Sequence, residues 1–289
     1  DTGNGLTRPL MEGAAGIDRR AALPKFHGRT FVSRAAAEPV AVDAKAPSFG
    51  RKAVLYATCF VNYNNPDIGR AAQAVLGKNG VETKVVYPLC CGMPQMEHGD
   101  LADVASRARK VAAELKPYID QGWDVVALIP SCALMLKFEW PLILPDDAEV
   151  KALAAATYDL SEFVVDLAKT KGLAEGLQPL EGGVSLHLAC HARAQNMGPK
   201  AADMLRLIPK ADVAVVERCS GHGGAWGVLK PTAPHKGFLP IVTTRGDRLF
   251  IGLLSAAYVH LAWLLFTENY LWIASLAALA LVAVVMRWG

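Results

Sequence analysis

The stretch VETKVVYPLCCG, residues 81–92, joins an alternating apolar run to two adjacent cysteines and a glycine. The alternation predicts a strand over Val81–Tyr87. Adjacent cysteines are hard to explain as packing. Two more cysteines flank the pair in the sequence: Cys59 lies 31 positions before Cys90, and Cys132 lies 41 positions after Cys91. Four thiols in one α/β region fit a metal or iron–sulfur centre better than a set of disulfides.

Short apolar segments alternate with helical segments through most of the chain. The predicted strands are Lys52–Ala57, Val81–Tyr87, Trp123–Ile129, Val184–Ala189 and Val213–Glu217. The predicted helices lie between them, at 65–80, 98–119, 159–170 and near 199–207. Strands that alternate with helices are typical of a parallel sheet covered on both faces. The sequence therefore predicts an α/β fold.

The two halves of this region repeat each other. VLYATC at 54–59 and SLHLAC at 185–190 are both predicted strands that end in a cysteine. The next strand ends in Cys90-Cys91-Gly92 in one half and in Cys219-Ser220-Gly221 in the other, and the cysteine separations are 31 and 29. Ligands collect at the carboxyl ends of parallel strands, so we expect two related, parallel-sheet, cysteine-rich modules.

Charge and cysteine content exclude some classes of protein. The chain has 30 basic and 27 acidic residues among 289, and a net charge of +3 gives no reason to expect nucleic acid as a partner. Six cysteines in this length are typical of intracellular ligands or redox thiols rather than of a disulfide-stapled secreted protein. The chain starts at Asp1 without a signal-peptide pattern, so we expect the natural N-terminus to lie upstream.

Two long uncharged runs follow Lys230. Leu249–Phe266 and Tyr270–Met286 would each form a helix of roughly 26 Å, enough to span a bilayer. Basic residues precede the first run and follow the second, and the short turn between them is acidic, so the positive-inside rule predicts a hairpin in the inner (cytoplasmic) membrane with the cysteine modules on the cytoplasmic side. The alternative is a buried hairpin of a soluble domain. The predicted division is an extended leader or linker at 1–50, a first module at 51–150, a second, incomplete module at 151–230 and a membrane hairpin at 231–289.

The thiols supply the candidate site. Its predicted ligands are Cys59, Cys90, Cys91 and Cys132. Neighbouring parallel strands end about 4.8 Å apart, so thiols at their ends can converge without rearrangement of the backbone. Zinc accepts the same ligands, but zinc sites usually use C-x₂-C pairs, which are absent here, and this favours iron. A redox disulfide between the adjacent cysteines would be strained.

The second module has a weaker ligand set. Cys190 and Cys219 remain, but Ser220 replaces the second cysteine of the pair, so we expect a second or vestigial centre there. His191 and His222 lie nearby as candidate auxiliary ligands, because imidazole substitutes for thiolate at some iron–sulfur centres. The alternative is that these are surface or hydrogen-bonded histidines.

His260 lies inside the first predicted span. An ionisable side chain at that depth is a functional hypothesis, for instance as a haem ligand or a quinone contact. The alternative is a neutral histidine that hydrogen-bonds to the neighbouring helix.

Five segments together carry a family resemblance. They are Gly16-Ile17-Asp18-Arg19-Arg20, Tyr56-Ala57-Thr58-Cys59, Cys90-Cys91-Gly92-Met93-Pro94, Pro130-Ser131-Cys132 and Glu217-Arg218-Cys219-Ser220-Gly221-His222-Gly223-Gly224. The chain resembles the cysteine-rich (CCG-domain) iron–sulfur oxidoreductase subunits, which include the C subunit of anaerobic glycerol-3-phosphate dehydrogenase and the heterodisulfide reductase B subunit. The resemblance implies a cluster of the [4Fe–4S] type. Met135 stands where the family pattern has its last cysteine.

The tail carries a second resemblance. Lys236-Gly237-Phe238-Leu239-Pro240 and Thr243–Phe250 resemble a small integral membrane protein family encoded beside glycerol-type ABC transporters. Together the resemblances imply an electron-transfer subunit that relays electrons from a flavoprotein dehydrogenase of the glycerol-3-phosphate type toward quinone, with no acid/base catalyst of its own. The alternatives are a membrane accessory protein of a glycerol-type transporter, with a structural or zinc-bound cysteine module, and a nonfunctional remnant.

Overall fold

The computed structural model describes residues 7–21, 23–218, 237–240, 245–267 and 269–288. The chain divides into two compact units. One comprises residues 24–220, and the other comprises residues 1–23 together with 221–289. The first unit contains the cysteine-bearing sheets, and the second contains the apolar hairpin.

Regular structure follows the chain in an alternating order. The helices of the described residues are α1 (Thr7–Ala15), α2 (Phe31–Ala37), α3 (Pro66–Lys78), α4 (Met93–Glu97), α5 (Leu101–Ile119), α6 (Pro130–Leu134), α7 (Trp140–Ile143), α8 (Ala148–Ala156), α9 (Leu160–Thr170), α10 (Cys190–Ala194), α11 (Lys200–Arg206), α12 (Arg245–Phe266) and α13 (Leu271–Trp288). The strands are β1 (Lys52–Tyr56), β2 (Glu82–Val86), β3 (Asp124–Ala127), β4 (Thr157–Asp159), β5 (Gly183–His187) and β6 (Asp212–Val216), and π-helical turns lie at Phe60–Asn64 and Met135–Glu139.

The larger sheet is parallel throughout, with the strand order β2-β1-β3-β4. Its central strand β1 is apolar because both faces are covered, and Ala53–Tyr56 are fully buried. Helices α5 and α8 pack on one face, and α2, α3 and α9 pack on the other. The predicted α/β class is confirmed.

The smaller sheet pairs β5 with β6 in parallel, from Gly183 opposite Asp212 to His187 opposite Val216. These are the strands expected for the second module. Both sheets lie within the unit of residues 24–220, and the division into modules at residue 150 stays a prediction.

The leader contains two helices, although the sequence at 1–50 shows no sustained periodicity. Helix α2 begins at a Thr30 N-cap whose hydroxyl accepts a hydrogen bond from the Ser33 amide. Phe31 is fully buried against α3, where a Cβ at Gly69 would come within 2.6 Å of its ring. Glycine is therefore required at this crossing, and the leader is in part a packed layer rather than an extended segment.

Two apolar helices, α12 and α13, form a hairpin, as predicted. The helices are in contact near Gly252, where a Cβ would meet Val282 at 3.5 Å, an ordinary van der Waals distance. Ala274, Ala278 and Val285 are buried. At the open end, Arg248 donates through Nη1 to the Met286 carbonyl at 3.0 Å, so it binds one of the last carbonyls of α13.

Candidate metal centre

The four predicted ligands lie at the carboxyl edge of the larger sheet. Cys59 follows β1 and precedes the π-helical turn, Cys90 and Cys91 lie in the loop after β2, and Cys132 lies in α6 after β3. The sulfurs form two close pairs. The Cys59 and Cys90 sulfurs are 3.9 Å apart, and those of Cys91 and Cys132 are 3.2 Å apart. The structure therefore brings all four thiols to one place.

The backbone turns sharply at two points to achieve this. Thr58 has a φ of +49°, and its hydroxyl accepts a hydrogen bond from the Val61 amide. Gly92 has a φ of +83° and is the N-cap of α4. Both values lie in the left-handed region, which glycine adopts at little cost and threonine only where its surroundings compensate. Each turn follows a strand end and leaves the adjacent cysteine at the sheet edge.

Two buried side chains hold the twin-cysteine loop in position. The Tyr56 hydroxyl donates to the Leu89 carbonyl at 2.6 Å, and the Trp140 Nε1–H donates to the Cys91 carbonyl at 3.1 Å. Both residues are fully buried. No sequence pattern predicted these hydrogen bonds, because a tyrosine in a strand and a tryptophan before a proline are also ordinary core residues.

Trp140→Phe tests this hold. The ring stays but its donor is lost, so the buried Cys91 carbonyl is left without a partner, and we expect the free energy of unfolding to fall by about 1–3 kcal/mol. Trp123→Phe is the matched control, because the buried Trp123 Nε1 has no hydrogen-bond partner in the described part of the chain. Urea denaturation of both variants measures the difference. Equal losses would contradict the assigned hydrogen bond.

The thiols are not electrostatically equivalent. Contact with the Cys59 thiol, followed by that of Cys91, lowers the pKa of Cys90 well below its usual range. The same contact with Cys90 raises the pKa of Cys59, and contact with Cys132 raises the pKa of Cys91. Cys90 is therefore the most acidic thiol of the three whose pKa is shifted. Metal binding here requires deprotonated thiols, since thiolates are the ligands.

One cation contributes to the field at Cys90. Arg107 on α5 lowers the pKa of Cys90 as a smaller effect than the thiol contacts. Its Nε donates to Asp103 one helical turn away at 2.7 Å, and its Cδ lies 3.4 Å from where a Cβ at Gly92 would be. No pattern in the sequence selects this arginine, because i,i+4 Asp–Arg pairs are common on helix surfaces.

The donor set consists of sulfur alone, which suits thiolate-ligated iron or zinc. Four thiolates around one zinc at about 2.3 Å would stand about 3.8 Å apart. The Cys59–Cys90 pair, at 3.9 Å, is near that distance, and the Cys91–Cys132 pair, at 3.2 Å, is closer. Within the described residues, no three His, Cys, Asp or Glu side chains are arranged to hold a single metal ion. The four residues fit the donor chemistry of an iron–sulfur centre, and a bound centre would replace the two sulfur–sulfur contacts.

Met135 follows α6 and is fully buried in the same core cluster as Cys91 and Cys132. Its thioether cannot ionise and is only a weak acceptor. Cys132 is therefore the thiol that α6 and the residue after it contribute to the predicted ligand set.

The second-module residues are only partly described. Cys190 is exposed at the start of α10. His191 Nδ1 contacts the Ser131 hydroxyl at 2.7 Å, beside Cys132, so this ring links α10 to α6. Cys219 and His222 lie outside the described residues. The auxiliary roles of these residues and the second centre stay predictions.

His260 has contacts for both of its ring nitrogens within the hairpin. Nδ1 lies 2.8 Å from the Ala256 carbonyl, and Nε2 lies 3.1 Å from the Ser275 hydroxyl of α13. A carbonyl can only accept, so Nδ1 donates to Ala256, and the Ser275 hydroxyl that contacts Nε2 also donates to the Leu271 carbonyl at 3.2 Å. This geometry favours the helix–helix contact over the haem or quinone role.

The close sulfur pairs predict which disulfides form when the chain without metal is oxidised. We expect mild oxidation with diamide to link Cys91 to Cys132 and Cys59 to Cys90. Mass spectrometry of peptides from the denatured, alkylated chain identifies the links. A dominant bond between the adjacent Cys90 and Cys91 would contradict the observed pairing, because that bond is the strained one.

Two family models match the chain. The model described as "Cysteine-rich domain" matches residues 53–137, which contain the four thiols. The model described as "Predicted small integral membrane protein (DUF2160)" matches residues 222–289, which contain the hairpin. No solved structure matches the chain.

Curated relatives match the cysteine-bearing part. Lactate utilization protein A of Geobacillus sp. (strain WCH70) is 31% identical over 196 residues, which cover 63% of this chain and 76% of that protein. Its counterpart in Geobacillus kaustophilus (strain HTA426) is 30% identical over 192 residues, which cover 61% and 74%. This chain belongs to the lactate utilization protein A family.

A second kind of relative agrees with the resemblance drawn from the motifs. The C subunit of anaerobic glycerol-3-phosphate dehydrogenase from Escherichia coli (strain K12) is 27% identical over 230 residues, which cover 78% of this chain. The matched part spans 56% of that protein's length. The predicted family is confirmed. Its curated relatives include lactate utilization proteins as well as a glycerol-3-phosphate dehydrogenase subunit.

Proposed function

We propose that the chain is the iron–sulfur electron-transfer subunit of a membrane-associated dehydrogenase system. The observation that carries this proposal is the convergence of four thiols at the carboxyl edge of one parallel sheet. The proposed ligands are Cys59, Cys90, Cys91 and Cys132. An iron–sulfur centre supplies one-electron transfer when bound. The chain supplies the ligands, the hydrogen bonds that position them and a largely buried surrounding.

Burial supports a redox role over a purely structural one. Cys91 and Cys132 are 2% and 5% exposed, whereas Cys59 and Cys90 are only partly covered. One side of the group is therefore shielded from water and the other is open. A redox centre needs both features, since shielding sets its potential and an open edge allows a partner to approach.

The partners in this proposal follow from the relatives. A dehydrogenase subunit with a flavin would oxidise the substrate and pass electrons to this chain. The names of the relatives offer two substrate classes, glycerol 3-phosphate and lactate, and both are small hydroxylated acids or esters. We propose a two-electron substrate oxidation in the partner, with no acid/base catalyst in this chain.

The membrane tie is the second part of the proposal. The spans Asp247–Phe266 (20 residues) and Leu271–Trp288 (18 residues) are long and apolar enough to cross a bilayer, and only 6% and 17% of their apolar stretches are buried. A core helix of a soluble protein would be mostly buried. With Arg248 and Arg287 at the open end of the hairpin, we place that end in the cytoplasm and the electron acceptor, a quinone, in the membrane.

The test is electron transfer by the chain itself. The chain is reconstituted anaerobically in detergent, reduced with dithionite, freed of excess reductant and mixed with a soluble quinone analogue. We expect an iron-dependent visible absorbance that bleaches on reduction and returns with the quinone. A reduced chain that passes no electrons to any quinone would contradict the relay.

The second candidate is a transporter accessory protein with a zinc-bound or structural cysteine module. The match of residues 222–289 to a family of small integral membrane proteins supports this second candidate. Stoichiometric zinc, without iron or sulfide after reconstitution, would support this candidate instead.

A further inference from the structure

The larger sheet has an edge strand, β2, whose outer side forms a groove. Strand β2 ends the order β2-β1-β3-β4, so the sheet has no strand beyond it among the described residues. A groove of about 390 Å³ runs along this edge. All five residues of β2 line it, together with Val32, Ala36 and Val40 on one side and Tyr118 on the other.

The backbone of β2 offers hydrogen-bonding groups to this groove. Its bonds to the β1 segment include Glu82 N–H to the Arg51 carbonyl and Ala57 N–H to the Val86 carbonyl, both at 2.9 Å. In a parallel ladder, residues that bond one neighbour alternate with residues that face the other side. The N–H and C=O groups of Thr83 and Val85 therefore point away from β1, toward the groove.

The side chains of β2 have a self-complementary charge pattern. Glu82 and Lys84 are exposed and two positions apart, so they lie on the same face of the sheet. That face is the α5 face, because the Lys84 ammonium lies 5.5 Å from the Tyr118 ring centre and 5.2 Å from that of Trp123. Val85 lies on the opposite face, in the cluster that contains Phe31.

We propose that β2 pairs with β2 of a second copy of this chain, antiparallel and centred on Thr83. Thr83 of each copy would then form a hydrogen-bonded pair with its counterpart. Glu82 of each copy would lie opposite Lys84 of the other, in the positions where cross-strand side chains come closest. A two-fold axis makes this ion pair occur twice.

Other registers lack this combination. Centring on Lys84 places like charges opposite each other, and the Lys84 backbone groups face β1. Centring on Val85 keeps the hydrogen bonds but places Lys84 opposite Val86. A lysine on an edge strand normally discourages pairing. Here Glu82 of the other copy pairs with Lys84 in the register centred on Thr83, so the lysine favours that one register.

The test measures the mass of the full chain in detergent by sedimentation over a concentration series. We expect a dimer for the unaltered chain. Glu82→Lys and Lys84→Glu each set like charges opposite one another twice, so we expect the dimer dissociation constant to rise at least about tenfold for each. The double exchange of both residues restores opposite charges and is expected to restore the dimer.

Two further variants complete the design. Glu175→Lys makes the same charge change at an exposed loop residue outside the groove and is expected to leave the dimer intact. Thr83→Pro removes the outward N–H, which an edge strand tolerates in the monomer, and is expected to give a folded monomer. A monomeric unaltered chain would overturn the proposal. So would a dimer indifferent to the single exchanges, or a folded double exchange that stays monomeric. Iron content is expected to be unchanged in all variants, so this result is separate from the proposed function.

Discussion

Cys91→Ser or Cys132→Ser is expected to remove the iron that the chain binds on anaerobic reconstitution. The hydroxyl of serine has a far higher pKa than a thiol and does not replace a thiolate ligand to iron. The sulfurs of these two cysteines are 3.2 Å apart and nearly buried, so the loss of one leaves an incomplete set. Iron and acid-labile sulfide per chain give the measurement.

Cys190→Ser is the matched control for this loss. The same substitution is made at an exposed thiol after β5, in the smaller sheet, and the iron of the first centre is expected to remain. Burying a hydroxyl costs about 1–3 kcal/mol, so thermal unfolding of each metal-free variant checks that the fold persists. Full iron retention in a folded Cys91→Ser variant would rule out this cysteine as a ligand.

Leu254→Arg combined with Leu279→Arg is expected to prevent stable insertion of the hairpin. Both leucine side chains are exposed near the middle of α12 and α13, so the substitutions leave the helix–helix contact in place. Each arginine at the centre of a span costs about 2.5–3.5 kcal/mol on insertion scales, and the two together cost about 5–7 kcal/mol. Alkaline extraction of membranes measures the bound fraction.

Alanine at the same two positions is the control, because it shortens the side chains without adding charge. We expect the unaltered chain and the alanine variant to stay with the membrane pellet and the arginine variant to leave it. Extraction of the unaltered chain would contradict the membrane tie. Retention of the arginine variant would show that the hairpin is not held by its apolar faces.

The sequence was most informative where one physical signal acted alone. Short apolar segments predicted β1, β2, β3, β5 and β6, with alternation of apolar residues used for β2, because these strands pack against helices. The placement of cysteines after three of those strands predicted their convergence, since parallel strands end at one edge. The two long uncharged runs predicted α12 and α13, because few other structures produce an apolar stretch of that length.

Other features depend on tertiary contacts that no local pattern carries. Strand β4 is three residues long and forms against β3, so it leaves no periodic signal. The helix α2 is fixed by the burial of Phe31 against Gly69. The pairing of Cys91 with Cys132, and of Cys59 with Cys90, depends on the turns at Thr58 and Gly92 rather than on spacing.

The composition of the purified chain tests most directly whether Cys59, Cys90, Cys91 and Cys132 hold an iron–sulfur centre. The full chain is purified anaerobically in detergent and reconstituted with iron and sulfide. Iron, acid-labile sulfide and zinc are then measured together with the electron paramagnetic resonance spectrum of the reduced form. We predict iron and sulfide bound together and a spectrum that appears on reduction. Absence of both after reconstitution, or zinc at about one per chain in their place, would contradict the proposed centre.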